Sequence, residues 1–179
     1  DLLGAAAEVK CAASQIDVVI HALGILKALP HILVPGEIVE SVSLGAGNTG
    51  RSFDLETNKR VAEFKFINWR GGAESIRQNG IFKDFFELAM ADTPKEKYLY
   101  LIGTTHALKF LRGGRALSSV LSKNEATKLK FEKLYGTRYV TVGDYFAEHH
   151  DAVHIVDGTP WLPALASIKE VPVTEAADL

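Results

Sequence analysis

Apolar and polar residues alternate along Phe53–Phe66, which predicts two strands joined by a tight turn at Asn58-Lys59. If the chain folds back at that turn, residues whose numbers sum to 117 lie opposite one another. Successive side chains of a strand point to opposite faces of a sheet. One predicted face is entirely apolar, consisting of Phe53, Leu55, Ala62, Phe64 and Phe66. The other face sets Asp54 opposite Glu63, with Lys65 beside them.

The rest of the chain divides into helical and extended segments by the same criterion. Before the hairpin we expect one or two helices over residues 1–29, ended by Pro30, a strand at Glu37–Leu44 and a turn-rich loop at Gly45–Gly50. After the hairpin we expect a helix over 73–90, a strand at Tyr98–Ile102, a helix opened by a capping box at Ser122–Glu125, strands at Arg138–Val142 and Ala152–Val156, a short helix at Asp144–His149, and a loose terminus after Pro163.

This order of elements predicts an α/β fold in which helices flank a central mixed sheet. The 179 residues favour a single domain, residues 1–179.

Composition narrows the function classes only slightly. The net charge of −2 and pI near 6.3 give no global signal of nucleic-acid binding, although a local basic groove can coexist with an acidic surface. A single cysteine, Cys11, rules out an intrachain disulfide and a Cys-rich zinc site, and suits a cytoplasmic location. His21, Lys27 and Pro30 interrupt the apolar run Val18–Val34, so we expect no membrane partner.

The charged face of the hairpin suggests a metal site. Directly opposed Cβ atoms lie about 5 Å apart, and like charges there are destabilising. A cation between Asp54 and Glu63 would relieve that repulsion. Mg²⁺ fits, because it is usually held by one or two carboxylates together with water and substrate phosphate. Mn²⁺ would substitute.

An acid on the second strand, followed on the third strand by Glu63-Phe64-Lys65, resembles the PD-(D/E)xK superfamily, whose members share the restriction-endonuclease-like nuclease fold. The resemblance covers about residues 1–105, which would supply the common core of that fold, and implies that residues 106–179 are additions to it. It departs from the family pattern at Phe53, where proline is common. It implies phosphodiester cleavage, with Mg²⁺ held by Asp54, Glu63 and the main-chain carbonyl of Phe64. Lys65 would orient or deprotonate the attacking water, or stabilise developing negative charge.

Other residues could complete such a site. Glu8, Glu40 and Glu56 are candidates for an extra acid, although a surface position is the default for each. Arg70, Arg77 and Arg51 are the preferred candidates for phosphate contacts, which would give sequence-independent affinity. Further basic residues near the site, among them Arg60, are individually more typical of solvated surface charges.

Two alternative motifs fail on their surroundings. Gly45–Gly50 matches a dinucleotide-binding glycine loop, but a strand follows it instead of the required helix. Val61–Lys65 mimics the lysine motif of protein kinases, but the chain has no matching catalytic loop. Our hypothesis is an Mg²⁺-dependent endonuclease acting on DNA, with RNA also open and a homodimer expected if both strands are cut. The alternative is a catalytically inactive module of the same fold that binds nucleic acid or a protein.

Overall fold

The computed structural model describes residues 1–13, 15–45, 52–66, 69 and 75–167. Its α-helices are α1 (Leu2–Ala13), α2 (Ile16–Ile32), α3 (Ser75–Ala89), α4 (Thr105–Leu111), α5 (Leu117–Leu121), α6 (Glu125–Tyr135), α7 (Val142–His149) and α8 (Pro163–Ser167). Its strands are β1 (Val39–Val42), β2 (Leu55–Thr57), β3 (Arg60–Lys65), β4 (Glu96–Leu101) and β5 (His154–Asp157). A 3₁₀ turn spans His150–Ala152.

The five strands form one mixed sheet in the order β1-β2-β3-β4-β5. Strands β1, β2 and β3 pair antiparallel, whereas β3, β4 and β5 pair parallel. Helix α3 provides the crossover that a parallel β3–β4 pair requires. The α/β prediction is confirmed. The hairpin register is confirmed as well, since Leu55 pairs with Ala62 and Glu56 with Val61.

The sheet separates two apolar cores. On one face, Leu55, Ala62, Phe64 and Phe66 pack with the buried side of α2, as the alternation predicts. On the other face, residues such as Val61 pack with α3, α4, α5 and α7. Phe53 was assigned to the wrong side, because it packs against this second core. Strand β2 begins at Leu55, so Phe53 lies outside the segment in which faces alternate.

Helix ends depart from prediction at two places. Helix α2 runs past Pro30 to Ile32, and the Leu33 N–H donates to the Leu29 carbonyl at 3.0 Å to close it. Proline in a last turn removes one hydrogen bond without ending the helix. Helix α6 is capped by Asn124, not Ser122, because the Asn124 side chain accepts the Thr127 N–H at 3.0 Å.

Two segments near the carboxyl terminus were also assigned wrongly. Arg138–Val142 is not a strand: Thr141 and Asp144 form a capping box that opens α7 at Val142, leaving a single bridge between Thr141 and Ala116. The chain after Pro163 is not loose at first, since helix α8 forms there and Leu165 packs on the α2 core. The strand predicted near Ala152–Val156 is present as β5.

One apolar segment among the described residues is long enough to cross a membrane. Leu2–Ile32 spans 31 residues with a mean hydropathy of 1.5. This is weak evidence for a span, since core helices and signal sequences meet the same criterion. Helix α2 also behaves as a core helix, because it buries Gly24, Ile25, Ala28 and Ile32 against the sheet.

Candidate functional site

Asp54 lies just before β2, beside the carboxyl end of β3. Its Oδ2 accepts the Phe64 N–H at 3.0 Å, and its Oδ1 lies 3.3 Å from Nε2 of His21 on α2. Burial would raise the pKa of Asp54, but the hydrogen bonds from His21 and the Phe64 N–H hold it below its ordinary value. Asp54 is therefore an ionised carboxylate anchored to both the sheet and α2.

Glu63 lies on β3 and interacts with the Asp54 carboxylate. Burial, followed by the negative charges of Asp84 and Asp54, raises the pKa of Glu63 to about 9. Two carboxyl groups this close cannot both ionise easily. In neutral solution without a cation, Glu63 keeps its proton and hydrogen-bonds to the Asp54 carboxylate.

Lys65 forms an ion pair with Asp84 of α3, with Nζ 2.6 Å from Oδ2. The Asp84 side chain is only 5% exposed, whereas 36% of the Lys65 side chain reaches solvent. Burial would lower the pKa of Lys65, but Asp84, Glu63 and Asp54 raise it above its ordinary value. Burial raises the pKa of Asp84, and Lys65 opposes that effect. Lys65 is therefore a firmly held cation that remains in contact with water.

The structure brings the three predicted site residues, Asp54, Glu63 and Lys65, into one electrostatically coupled cluster. Sequence reasoning missed the other two members, His21 and Asp84. Each is a titratable residue within an apolar helical stretch, His21 in Val18–Val34 and Asp84 beside the apolar stripe of α3. A titratable residue in such a stretch could have indicated a buried ion pair, because buried ionisable groups are rare unless they are paired.

The candidates for an extra acid lie elsewhere. Glu40 and Glu56 both pair with Lys95, at 2.7 and 2.8 Å. Glu8 is exposed on α1, a helix without a buried residue. Asp84 is therefore the third acidic side chain of the cluster in the described part of the chain, in place of any of the three predicted acids.

Of the arginines predicted to contact phosphate, Arg77 lies in the first turn of α3, half-buried. Arg51 and Arg70 lie outside the described residues. Arg60 is not the solvated charge that the sequence suggested: it is 5% exposed and forms hydrogen bonds of 2.6 and 2.8 Å to Glu37. Arg60 therefore pairs with Glu37 at the turn end of the hairpin and takes no part in the acidic cluster.

Among the described residues, no three His, Cys, Asp or Glu side chains converge into a complete metal-binding set. A structural zinc or calcium site would need such a set. Mg²⁺ needs less, because one or two carboxylates with water and phosphate suffice. Asp54 and Glu63 would supply that donor pair. Burial is the main cause of the raised pKa of Glu63, and the negative charges of Asp84 and Asp54 add to it; a cation would offset that second contribution. The residues therefore fit Mg²⁺ as a cation completed by water or substrate.

Comparison with known proteins yields no relative: no protein-family model, no curated protein and no solved structure matches the chain.

Proposed function

We propose that this protein is an Mg²⁺-dependent nuclease that hydrolyses phosphodiester bonds in DNA, on a core of the restriction-endonuclease-like type. The observation that carries the proposal is the cluster at the carboxyl end of β3. There burial, followed by the charges of Asp84 and Asp54, raises the pKa of Glu63 to about 9 beside a protonated Lys65. Strongly perturbed ionisable groups concentrate at functional sites. The antiparallel β1-β2-β3 unit, followed by a helix and a parallel strand, supports the proposed core.

The residues of the cluster divide the work by charge. Asp54 and Glu63 would hold Mg²⁺, which supplies polarisation of a phosphoryl oxygen and a lower pKa for a bound water. Lys65 keeps its proton because three carboxyl groups raise its pKa. It therefore stabilises negative charge that develops on the phosphate and does not serve as the base. Asp84 positions Lys65, and His21 positions Asp54.

One observation favours the alternative, a catalytically inactive module that binds nucleic acid or protein. Lys65 is already neutralised by Asp84 at 2.6 Å, and a protonated Glu63 satisfies Asp54. The cluster can therefore stand as a closed structural network without a metal. The two functions differ in what Mg²⁺ does to the protein and to a bound polynucleotide.

The separating experiment incubates the protein with supercoiled plasmid, single-stranded DNA and RNA, each with Mg²⁺ or EDTA. Asp54→Asn and Lys65→Ala are the test variants. Glu56→Gln is the matched control, because Glu56 is a carboxylate of the same hairpin that pairs with Lys95. We expect Mg²⁺-dependent cleavage of DNA by the protein and by Glu56→Gln, with a loss of about 10²-fold or more in each test variant.

Binding of DNA without cleavage, unchanged by either test variant, would establish the inactive module. Cleavage that persists in EDTA, or that survives Asp54→Asn, would place the activity elsewhere. Circular dichroism of each variant shows whether a lost activity reflects a lost fold.

A further inference from the structure

Helices α1 and α2 carry an apolar seam that packs on nothing within the described chain. Two residues of the sequence separate the start of α2 from the end of α1, and one heptad spacing runs through the sequence of both helices. Along it, positions a and d of successive heptads are all apolar and all exposed. These seam residues are Leu2, Ala5, Val9, Ala12, Ile16, Val19, Leu23 and Leu26. Sustained a/d heptads are typical of helices that pair with another helix.

In α2, the seam lies on the side of the helix that faces away from the sheet. The buried residues of α2 are Gly24, Ile25, Ala28 and Ile32, and His21 contacts Asp54 from the same helix. Helix α1 has no buried residue at all. A helix of this length is marginal in water when it packs on nothing. The seam is therefore the face through which α1 would gain a packing partner.

The sizes of the seam residues suit an antiparallel pairing with the seam of a second copy. In an antiparallel pair in which residue numbers sum to 28, Ala5 meets Leu23 and Ala12 meets Ile16 of a second copy. Each small side chain then faces a large one, which fills such layers without voids. A parallel pair would set Ala5 against Ala5 and Leu23 against Leu23.

The charged residues beside the seam also favour the antiparallel arrangement. In the antiparallel pair, Lys10 lies within one residue of the level of Asp17 in the other copy, and the two-fold axis repeats the contact. A parallel pair would set Lys10 level with Lys10 and Asp17 level with Asp17. Like charges at one level are repulsive, so charge and shape favour the same arrangement.

We propose that the seam docks a second copy of this chain, giving a homodimer held by an antiparallel coiled coil of the α1–α2 segments. The proposal is independent of the nuclease proposal, because it uses none of the residues of the acidic cluster.

Sedimentation velocity over a range of concentrations tests the proposal. We expect the full chain to dimerise, and Val9→Glu or Val19→Lys alone to weaken the dimer by about tenfold or more. The double variant Val9→Glu/Val19→Lys should recover most of that loss, because the antiparallel register sets the introduced carboxylate opposite the introduced ammonium group. Leu129→Glu is the matched control: Leu129 is 58% exposed, comparable with 52% for Val19, and lies on α6 away from the seam.

Three results would overturn the proposal. One is a wild-type chain that stays monomeric at every concentration. Another is a double variant that dimerises no better than the single variants, which excludes the antiparallel register. The third is a monomer that floats with phospholipid vesicles and loses that binding in Leu23→Glu, which would assign the seam to a lipid surface.

Discussion

The two ends of strand β3 both bury charged residues, but a carboxyl pKa is lowered at the amino end and raised at the carboxyl end. At the amino end, Arg60 donates to Glu37 at 2.6 and 2.8 Å and to the Tyr100 hydroxyl at 2.9 Å. Its guanidinium also lies 4.6 Å from the centre of the Tyr98 ring. One cation faces one carboxylate, and Glu37 also accepts the Thr57 hydroxyl at 2.7 Å.

At the carboxyl end, one lysine faces three acids. Lys65 pairs with Asp84, and Glu63 keeps its proton beside the ionised Asp54 carboxylate. The pKa of Glu37 is lowered, as in a satisfied pair, whereas the pKa of Glu63 is raised to about 9. The amino end therefore holds a satisfied ion pair. The carboxyl end holds a buried carboxyl group whose ionisation is opposed by burial and by neighbouring acids.

The amino end of β3 also borders open space. A cavity of about 560 Å³ lies at the amino end, lined by Asn58, Lys59, Arg60 and Tyr98 among others. Its charged groups already have partners, since Lys59 donates to the Pro35 carbonyl at 3.0 Å and Arg60 pairs with Glu37. The cavity therefore offers no unpaired charge from Lys59 or Arg60.

The largest expected effect is on stability, from breaking the satisfied end. Arg60→Ala leaves the fully buried Glu37 carboxylate without its cation. We expect a loss of about 3 kcal/mol in the free energy of unfolding, measured by urea denaturation. Lys65→Ala should cost less, because Lys65 is 36% exposed and the acids around it can take up protons.

The double variant Arg60→Ala/Glu37→Gln is the control for this prediction. It removes the stranded charge, so part of the lost stability should return. A loss below about 1 kcal/mol for Arg60→Ala would show that water compensates Glu37 and that the two ends of β3 differ less than their geometry indicates.

The second prediction is a gain in stability, at the carboxyl end of β3. Glu63 binds a proton in the folded protein up to about pH 9 but releases it near its ordinary pKa of 4.5 when unfolded. The folded state therefore holds more protons between these values, and stability falls as pH rises through that window. In EDTA, Glu63→Gln should remove this loss, so the variant should gain stability over the natural chain as the pH rises from 4.5 towards 9 and gain nothing below pH 4. Thermal unfolding measured across pH tests the sign; equal pH profiles for the two proteins would mean that Glu63 ionises normally.

The contrast between the ends explains what the sequence could predict. Alternation in Leu55–Thr57 and Arg60–Lys65 fixes which side chains share a face, so the hairpin register and the common face of Glu63 and Lys65 could be predicted. Asp54 precedes β2, and it joins them because the hairpin brings it to the Phe64 N–H of β3. Both predictions depend on residues close together in the chain. The strand at Tyr98–Ile102 was predictable for a similar reason, as a continuous apolar run.

Contacts between distant segments could not be predicted from one sequence. Asp84 reaches Lys65, and His21 reaches Asp54, only because α3 and α2 pack on opposite faces of the sheet. Glu37 and Arg60 likewise meet across the loop before β1. Local competition caused the other errors: the capping box of Thr141 and Asp144 overrode the strand propensity of Arg138–Val142.

The third prediction is a rise in Tm when Mg²⁺ is added, through the cluster at the carboxyl end of β3. If Asp54 and Glu63 hold Mg²⁺, 10 mM Mg²⁺ should stabilise the protein by about 1 kcal/mol, a rise of roughly 2–4 °C in Tm. Differential scanning fluorimetry measures this without any substrate. Asp54→Asn and Glu63→Gln should lose the rise, and Glu56→Gln should keep it. An equal rise in all four proteins would indicate non-specific screening of charge and would leave the closed structural network as the better account of the cluster.

The smallest effect is expected at a third group of charges, on the surface beside β1 and β2. Lys95 pairs with Glu40 and Glu56 at 2.7 and 2.8 Å, distances as short as those of the buried pairs. The two carboxylates are 47% and 43% exposed, however, and water and salt screen such pairs. Glu40→Gln, Glu56→Gln and their combination should therefore leave Tm unchanged within error at 150 mM salt. Should the combination lower Tm as much as Arg60→Ala does, contact distance would outrank burial, and the distinction between the ends of β3 would need another cause. An unchanged Tm would instead show that the same ion-pair chemistry supports the fold only where Arg60 and Glu37 exclude water.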